Sequence, residues 1–337
     1  MKLPFYKTVK QAKERGFVKT VFMLLALSLS KKSVLPYLKH IPESAIVEVN
    51  KSKMLLFPRK GGINCIHFDL FLYKKREPHC TDYLMHSGVL KDGDVVLDIG
   101  ANIGYYVLIE SQLVGKSGKI YAVEPVRSNF ELLERNVQLN NLKNVSALQF
   151  AFGDKDAKSG IIYISDKTNL CTMNKNAAVS GKIGKIVSEE EVPVATVDTF
   201  FKDKTPPNFI RMDVEGSEYG IIKEGMVKTL KGDIKILMEL HPERPYLEPE
   251  KVNELFHILE ENNFRVRFAV FEDKVEENEI ARFFLKKAGN KLPIIVSNIS
   301  LQELKKLVEN NARLAYPSVI FEKQTARIKK FRMDEVK

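Results

Sequence analysis

The stretch VVLDIGANIGYY, Val95 to Tyr106, decides how this chain folds. A β-branched apolar run ends in Asp98. A small-residue loop follows over Gly100-Ala101-Asn102-Ile103-Gly104, and a helical pattern begins after it. Strand, tight turn and helix start, in this order, bring backbone N–H groups close to a nucleotide-like ligand. A dinucleotide fingerprint needs glycine at the first, third and sixth loop positions. Those positions hold Gly100, Asn102 and Tyr105, so the fingerprint is incomplete. Asn is the non-glycine residue that best tolerates left-handed backbone angles, which suits Asn102 to the middle of the turn.

An acidic residue two places before the first glycine, with glycine again four places after it, fits a loop for S-adenosylmethionine (SAM). The cofactor's amino-acid end, not a pyrophosphate, would then lie over the turn. Outward from this loop, strands and helices alternate. Lys119–Val123, Val145–Phe150, Phe209–Met212, Ile234–Leu240, Phe264–Phe271 and Ser318–Glu322 read as strands, with two more within Gly160–Ile164 and Glu191–Val194. Ser128–Asn141, Gly220–Leu230, Glu250–Asn262 and Leu301–Asn311 read as helices. Alternation of this kind predicts a mostly parallel sheet with helices on both faces and a ligand at the carboxyl ends of its strands. Upstream, Ala45–Val49, Met54–Phe57 and Cys65–Tyr73 read as strands and Glu77–Leu90 as a helix. The chain divides into a basic extension (1–80), a core (81–275) and a C-terminal helix and last strand completing the sheet (276–337).

Charge follows the same division. Residues 1–80 hold 16 Lys and Arg against 5 Asp and Glu, and the remainder holds 37 against 38. A basic segment of this kind suits an anionic membrane surface or a nucleic acid, or simply a solvated face. Residues 1–40 read as basic amphipathic helices. Their apolar run Val21–Leu29 is too short for a bilayer, which takes about 20 residues, so a packed or membrane-resting helix is preferred to a signal sequence. The three cysteines, Cys65, Cys80 and Cys171, show no paired spacing, which argues against a disulfide framework or a structural zinc site. A cytoplasmic location, peripheral to a membrane at most, is the expectation.

Chemistry-bearing residues cluster at strand ends. Glu124 ends the second core strand, where a carboxylate can accept two hydrogen bonds from ribose hydroxyls, and Pro125 terminates the ladder after it. Asp98 can order the loop or meet the methionine ammonium. Ala151 and Phe152 fall where an adenine lies, with Phe152 equally explained as core. Asp213, Glu215 and Glu218 crowd the end of the fourth strand. Capping explains one or two of them, but Asp213 falls where the reactive methyl is expected. Glu239 and His241 end the next strand on one side of it.

Taken together, DIGANIGYY, AVEP, FIRMDVEGSEYGIIKEG and LMELHP resemble the FkbM-type SAM-dependent methyltransferases over about Lys91 to Pro242. The resemblance implies a seven-stranded Rossmann-like SAM-methyltransferase sheet and O-methylation of a hydroxyl on a glycan, glycolipid or small metabolite. It places Asp98, Gly100, Asn102, Gly104 and Glu124 on the cofactor motif, with Ala101 beside them, and Asp213, Glu215, Glu218 and Glu239 on acidic active-site motifs. Arg211 stands where Lys is common, and no role transfers to it. The expected mechanism is in-line transfer to an oxygen, with Asp213 or His241 as base and Glu239 orienting. A divalent metal held by Asp213, Glu239 and the substrate is the less favoured route, and no metal ligand is assigned. Lys155–Ser188 is expected to help shape the acceptor site. Two rivals remain: an RNA methyltransferase using the basic N-terminus and the helix LLERNVQLNNLKNV, and a non-catalytic SAM-fold scaffold at a membrane. Against the first, no Asn/Asp-Pro-Pro-aromatic loop follows the fourth strand. Oligomeric state is not legible.

Overall fold

A computed structural model describes residues 41–60, 65–166, 170–180, 183–242, 246–271, 294–311 and 316–324. The readings of residues 1–40 as helices and as a membrane-surface contact lie outside these residues. Among the described residues no helix is long and apolar enough to cross a membrane.

The chain enters through a hairpin of β1 (Ala45–Val49) and β2 (Ser52–Leu56). Asn50 and Lys51 both take positive φ, 48° and 65°, the two-residue turn whose twist matches antiparallel strands. Where alternation in Cys65–Tyr73 suggests a strand, the structure has a helix, α1 (Ile66–Tyr73). Its tightly spaced Ile66, His67, Phe68 and Leu70 are all buried, and Lys74 ends it in the left-handed region. Tertiary burial on a helix face outweighs the two-residue period here. α2 (Pro78–His86) follows.

Among the described residues the central sheet has eight strands. In spatial order they are β12 (Ile294–Ile299), β11 (Phe264–Phe271), β13 (Pro317–Lys323), β10 (Lys235–Glu239), β9 (Phe209–Met212), β3 (Val95–Ile99), β4 (Lys119–Val123) and β5 (Val145–Leu148). From β5 to β10 every pairing is parallel, β13 runs antiparallel to its neighbours β10 and β11, and β12 runs antiparallel to β11. This is the expected mainly parallel architecture with β12 added at one edge. The strand order reverses between β3 and β9, so the switch-point crevice opens above that pair. A second sheet of β6 (Ala151–Phe152), β7 (Ala157–Ser165) and β8 (Ile186–Ala195) stands over this end of the molecule.

Helices cover both faces: α3 (Tyr105–Val114), α4 (Arg127–Leu139), the short α5 (Lys175–Val179) and α6 (Val197–Phe200), one α-turn α7 (Glu218–Gly220), then α8 (Pro249–Glu261) and α9 (Leu301–Asn311). The expected long helix over Gly220–Leu230 is instead α7 running into a π-turn at Ile221–Gly225 and a 3₁₀ turn at Thr229–Lys231. Strand alternation divides the core. Leu97, Ile99, Ile210, Met212, Ile236 and Met238 pack with α8 and α9. Val96, Phe209 and Leu237 pack on the other face with α3, α4 and the hairpin. The same alternation sends Asp98, Arg211 and Glu239 to this second face. Register then sets Asp98 directly opposite Arg211.

The asparagines of α4 have a packing use. Asn136 Nδ2 donates to the Ile103 carbonyl in the loop, and its Oδ1 accepts from Leu55 N of the hairpin. Asn140 Oδ1 accepts from Lys53 N, and its Nδ2 donates to Lys53 O. The polar pattern that suggested an RNA-modifying helix therefore fastens the N-terminal hairpin to the loop.

Candidate active site

The loop after β3 spends most of its backbone donors on the end of the neighbouring strand β4. Gly100 N and Ala101 N both donate to Val123 O at 3.0 Å, and Asn102 N donates to Glu124 Oε2 at 2.8 Å. Ile103 N donates to the Asn102 side chain. Free amides are thus not what this turn offers a ligand. It offers shape, with Gly100, Asn102 and Gly104 all at positive φ, and the Glu124 carboxylate at its edge.

Gly100 is required by a close backbone approach. A Cβ there would sit 2.1 Å from the Asp213 carbonyl oxygen, at a φ of +82°. Asp213 N in turn donates to Ile99 O, so the two strand ends are locked together. Gly100→Ala is expected to cost about 2–5 kcal/mol, combining left-handed strain with overpacking against backbone. Urea denaturation would measure it, and a loss below 1 kcal/mol would show that the two loops separate easily.

A cleft of about 620 Å³ opens at these strand ends. Gly100, Asn102, Glu124, Pro125, Ala151, Phe152, Asp213 and Glu215, all singled out in the sequence, line it. Asp98, Ala101, Gly104, Glu239 and His241 are not among its lining residues. Phe152 is both wall and core, packing edge-on to Phe150 and Phe200. Val126, Asn129, Phe150, Ile162, Thr172 and Met173 also line it. Within segment 155–188, which was expected to help shape the acceptor site, Ile162, Cys171, Thr172 and Met173 wall this cleft. Thr172 Oγ1 donates to Glu215 O, and Asn174 Nδ2 to Gly216 O, which tie the segment to the loop after β9.

Among the described residues, the charged side chains lining the cleft are Glu124, Asp213 and Glu215, with no Lys or Arg. A pyrophosphate would meet carboxylates only, whereas a sulfonium and an ammonium are complemented. Glu124 Oε1 accepts from Val126 N at 2.9 Å, and with Asn102 and Asn129 also donating to it the carboxylate keeps one further acceptor position for a sugar hydroxyl. The donor set fits SAM: Glu124 for the ribose, the Phe150–Phe152 and Ile162 walls for the adenine, Asp213 and Glu215 toward the cationic end. Burial pushes the Glu124 carboxyl up to about 7, opposed by hydrogen bonds from Val126, Asn102 and Asn129. Since the ionised form grips hydroxyls best, affinity for S-adenosylhomocysteine is expected to rise as pH climbs through this value. Glu124→Gln should flatten that dependence and weaken binding about tenfold or more, the worth of hydrogen bonds to a charged group. Titration calorimetry at several pH values checks both.

Behind the cleft lies a buried charge chain. Arg211 Nη1 donates to Asp98 Oδ1 at 2.9 Å and to Gly100 O at 3.2 Å, and Nη2 donates to Asp213 Oδ2 at 3.0 Å. Its guanidinium lies 4.3 Å from the Tyr106 ring centroid. Asp98 is fully buried. It orders the loop through Arg211 and stays out of reach of the cleft. Burial opposes the charge on Asp213, but Arg211, His241 and Arg76 outweigh it and hold that carboxyl below its ordinary value. Burial and the Asp213 charge push Glu239 up to about 8, so Glu239 keeps its proton and shares it with Asp213.

His241 is caged. Nδ1 meets Glu218 Oε1 at 3.0 Å, Nε2 meets Glu215 Oε2 at 3.3 Å, and Tyr246 and Tyr316 flank the ring. Burial disfavours its charge, but the two carboxylates prevail and hold it protonated well above its ordinary range. With both nitrogens engaged, it has no lone pair for a substrate proton. Glu218 also accepts from Val214 N and Gly216 N, closing its own loop. Donor atoms of Asp213, Glu239 and His241 all lie within 4.8 Å of one another, a spacing a divalent cation could bridge. As placed, Arg211 and the imidazolium already supply the positive charge there.

A second pocket of about 210 Å³ lies on the α2 side, lined by Glu77, Cys80, Tyr106, Arg211, Met212, Asp213, Leu237, Glu239 and Ser318. Asp213 borders both cavities. Sequence reasoning missed Arg211, Tyr106 and Glu77. A charged residue inside the apolar strand FIRM had to be paired, and that was the available signal for Arg211. Glu77 lies outside the recognised motifs and carried none.

The sequence model of the methyltransferase FkbM domain matches residues 98–266, half of the chain. The chain belongs to the FkbM methyltransferase family. As an FkbM methyltransferase it is SAM-dependent. The "Methyltransferase 1" of Beauveria bassiana is 26% identical over 179 residues, covering 49% of this chain and 68% of that protein. The protein-L-isoaspartate O-methyltransferase of Methanosarcina mazei is 38% identical over 71 residues, covering 21% of this chain and 29% of that enzyme. A solved FkbM methyltransferase from Methylobacillus flagellatus is 17% identical, with a TM-score of 0.35, covering 53% of this chain and 41% of that one.

Proposed function

We propose that this FkbM methyltransferase methylates a hydroxyl oxygen of a glycan, glycolipid or small metabolite seated in the second pocket. The supporting observation is that Asp213 borders both the cofactor cleft and this pocket. Bound SAM supplies a methyl group already activated by a sulfonium. The chain's residues do the rest. Glu124 and the aromatic wall fix the nucleoside, and Glu77, Ser318 and Glu239 provide polar contacts for an acceptor. A hydroxyl becomes strongly acidic as its oxygen bonds to the incoming carbon, so a weak base suffices. Asp213, held ionised by Arg211, accepts that proton, and Glu239 donates a hydrogen bond that orients the accepting carboxylate. Placing the acceptor next to this base is the main contribution of the fold. Glu215, gripped by the His241 imidazolium, holds the loop closed and is not assigned a proton-transfer step.

Labelled-methyl SAM incubated with fractionated lysate, followed by mass spectrometry, tests this reading. Label is expected in a glycan, lipid or small-molecule fraction and is expected to survive RNase. Label confined to RNA would overturn it in favour of the nucleic-acid alternative.

A further inference from the structure

Local sequence rules fail at Glu77. It holds the cap position of α2 and stands before Pro78, yet its backbone is left-handed, with φ 44° and ψ 65°. Cap residues and residues before proline normally take extended angles, and a non-glycine residue in the left-handed region is strained. The carboxylate gives nothing back to the helix, since it makes no capping hydrogen bond. Glu77 lines the second pocket instead. Its Oε2 accepts from Tyr106 Oη at 2.6 Å, and its Oε1 accepts from Arg76 Nε at 2.9 Å. The corner behind it is fixed as well: Arg76 N donates to Tyr105 Oη at 3.0 Å, and Thr81 Oγ1 donates to Arg76 O at 2.7 Å. Tyr105 and Tyr106 open α3, directly after the Gly100–Gly104 turn.

We propose that Glu77 is a specificity-determining residue whose fixed carboxylate receives a second hydroxyl of the acceptor. The acceptor end then carries neighbouring hydroxyls, one facing Asp213 and the other facing Glu77. This assignment rests on the second pocket as the acceptor site. A carboxylate has about four acceptor positions, so the bonds from Arg76 and Tyr106 leave room for a hydroxyl. The cavity of about 210 Å³ lies below the size at which ordinary ligand pockets begin, about 300 Å³. Only one end of a larger acceptor enters, and in so small a space the group that meets Asp213 also meets Glu77. Cys80, Met212 and Leu237 supply apolar surface for its carbons. Among the described residues Arg211 is the cation that lines the pocket. It is already engaged by Asp98, Gly100 O and Asp213, so the pocket suits hydroxyls and not a phosphate.

Selectivity follows from what an unmatched acceptor leaves behind. A lone alcohol in the pocket strips water from Glu77 and offers it no donor. A diol replaces that water with a charge-assisted hydrogen bond. Tyr106 keeps the carboxylate from swinging away, and its ring lies 4.3 Å from the Arg211 guanidinium, which in turn holds Asp213. One side chain thus sets Glu77 and the base at a fixed spacing.

Saturation-transfer NMR on the full chain loaded with S-adenosylhomocysteine tests this with a matched pair of probes. Anhydroerythritol is a cyclic vicinal diol, and hydroxytetrahydrofuran is the same ring with one hydroxyl. The diol is expected to bind wild type about tenfold more tightly than the lone alcohol, the worth of a hydrogen bond to a charged group. In Glu77→Gln the probes should bind within about twofold of each other, while calorimetry finds S-adenosylhomocysteine affinity within about twofold of wild type. Equal binding of the probes to wild type, no binding of the diol, or a diol preference that survives in the variant would overturn the proposal. So would a comparable fall in S-adenosylhomocysteine affinity, since Glu77 would then act through Tyr106 and Arg211 on the cofactor turn. Where Glu77→Gln fails to fold, Glu77→Gly, the residue a left-handed backbone favours, gives the same comparison. The probes read binding and not turnover, so failure here is distinct from label appearing only in RNA, which would overturn the acceptor reading itself.

Discussion

Asp213→Asn is expected to lower kcat by about 10²–10⁴-fold, the usual contribution of a positioned general base, while S-adenosylhomocysteine still binds. The amide keeps the size of the side chain and still accepts from Arg211 Nη2, so the wall between the two cavities stays in place. What it loses is a carboxylate that can take a proton. Glu239 is not placed to substitute, because it lines the second pocket and not the cofactor cleft. His241 cannot either, since both its nitrogens face carboxylates. The measurement is methyl transfer to an acceptor recovered with labelled SAM, followed across pH. The wild-type rate should fall only well into the acid range, because Asp213 is held below its ordinary value. Full turnover in the variant with intact cofactor binding would remove Asp213 as the base.

Arg211→Met should be the most destabilising single change in the site, by about 3–5 kcal/mol, the cost of stranding a buried charge. Side-chain exposure decides this: 9% for Arg211 and 0% for Asp98. Neither ion has water to fall back on, and Asp213 loses a partner in the same step. The Gly100 carbonyl also loses a donor, so S-adenosylhomocysteine affinity should fall together with stability. Adding Asp98→Asn to Arg211→Met should recover part of the loss, since it removes the uncompensated charge. Urea denaturation of the two variants checks this. No recovery in the double variant would mean that packing of the guanidinium on Tyr106, and not its charge, carries the effect.

The succession of strands and helices along the chain was legible because it rests on local pattern. The run VVLDI and the alternation of FIRM and KILME needed only their own residues to be read, and Glu124 could be found from its distance to the loop. The helix at Ile66–Tyr73 was misread because its apolar residues satisfy a two-residue period as well as a helical face. The roles of the site residues were less visible. His241 looked like a base until its two carboxylates were placed around it. Glu77 reaches the acceptor pocket from a segment outside the recognised motifs.

By itself, the sequence determined the mainly parallel sheet, the tight turn at Gly100–Gly104 and the acidic edge that faces it, because strand periodicity, glycine geometry and the spacing of carboxylates are properties of contiguous residues. Only the tertiary structure decided who is charged. Asp98 and Arg211 are 113 residues apart, and Glu218 and His241 are 23 apart. The proton inventory of a dry site depends on which distant groups the fold brings within reach and how completely it excludes water.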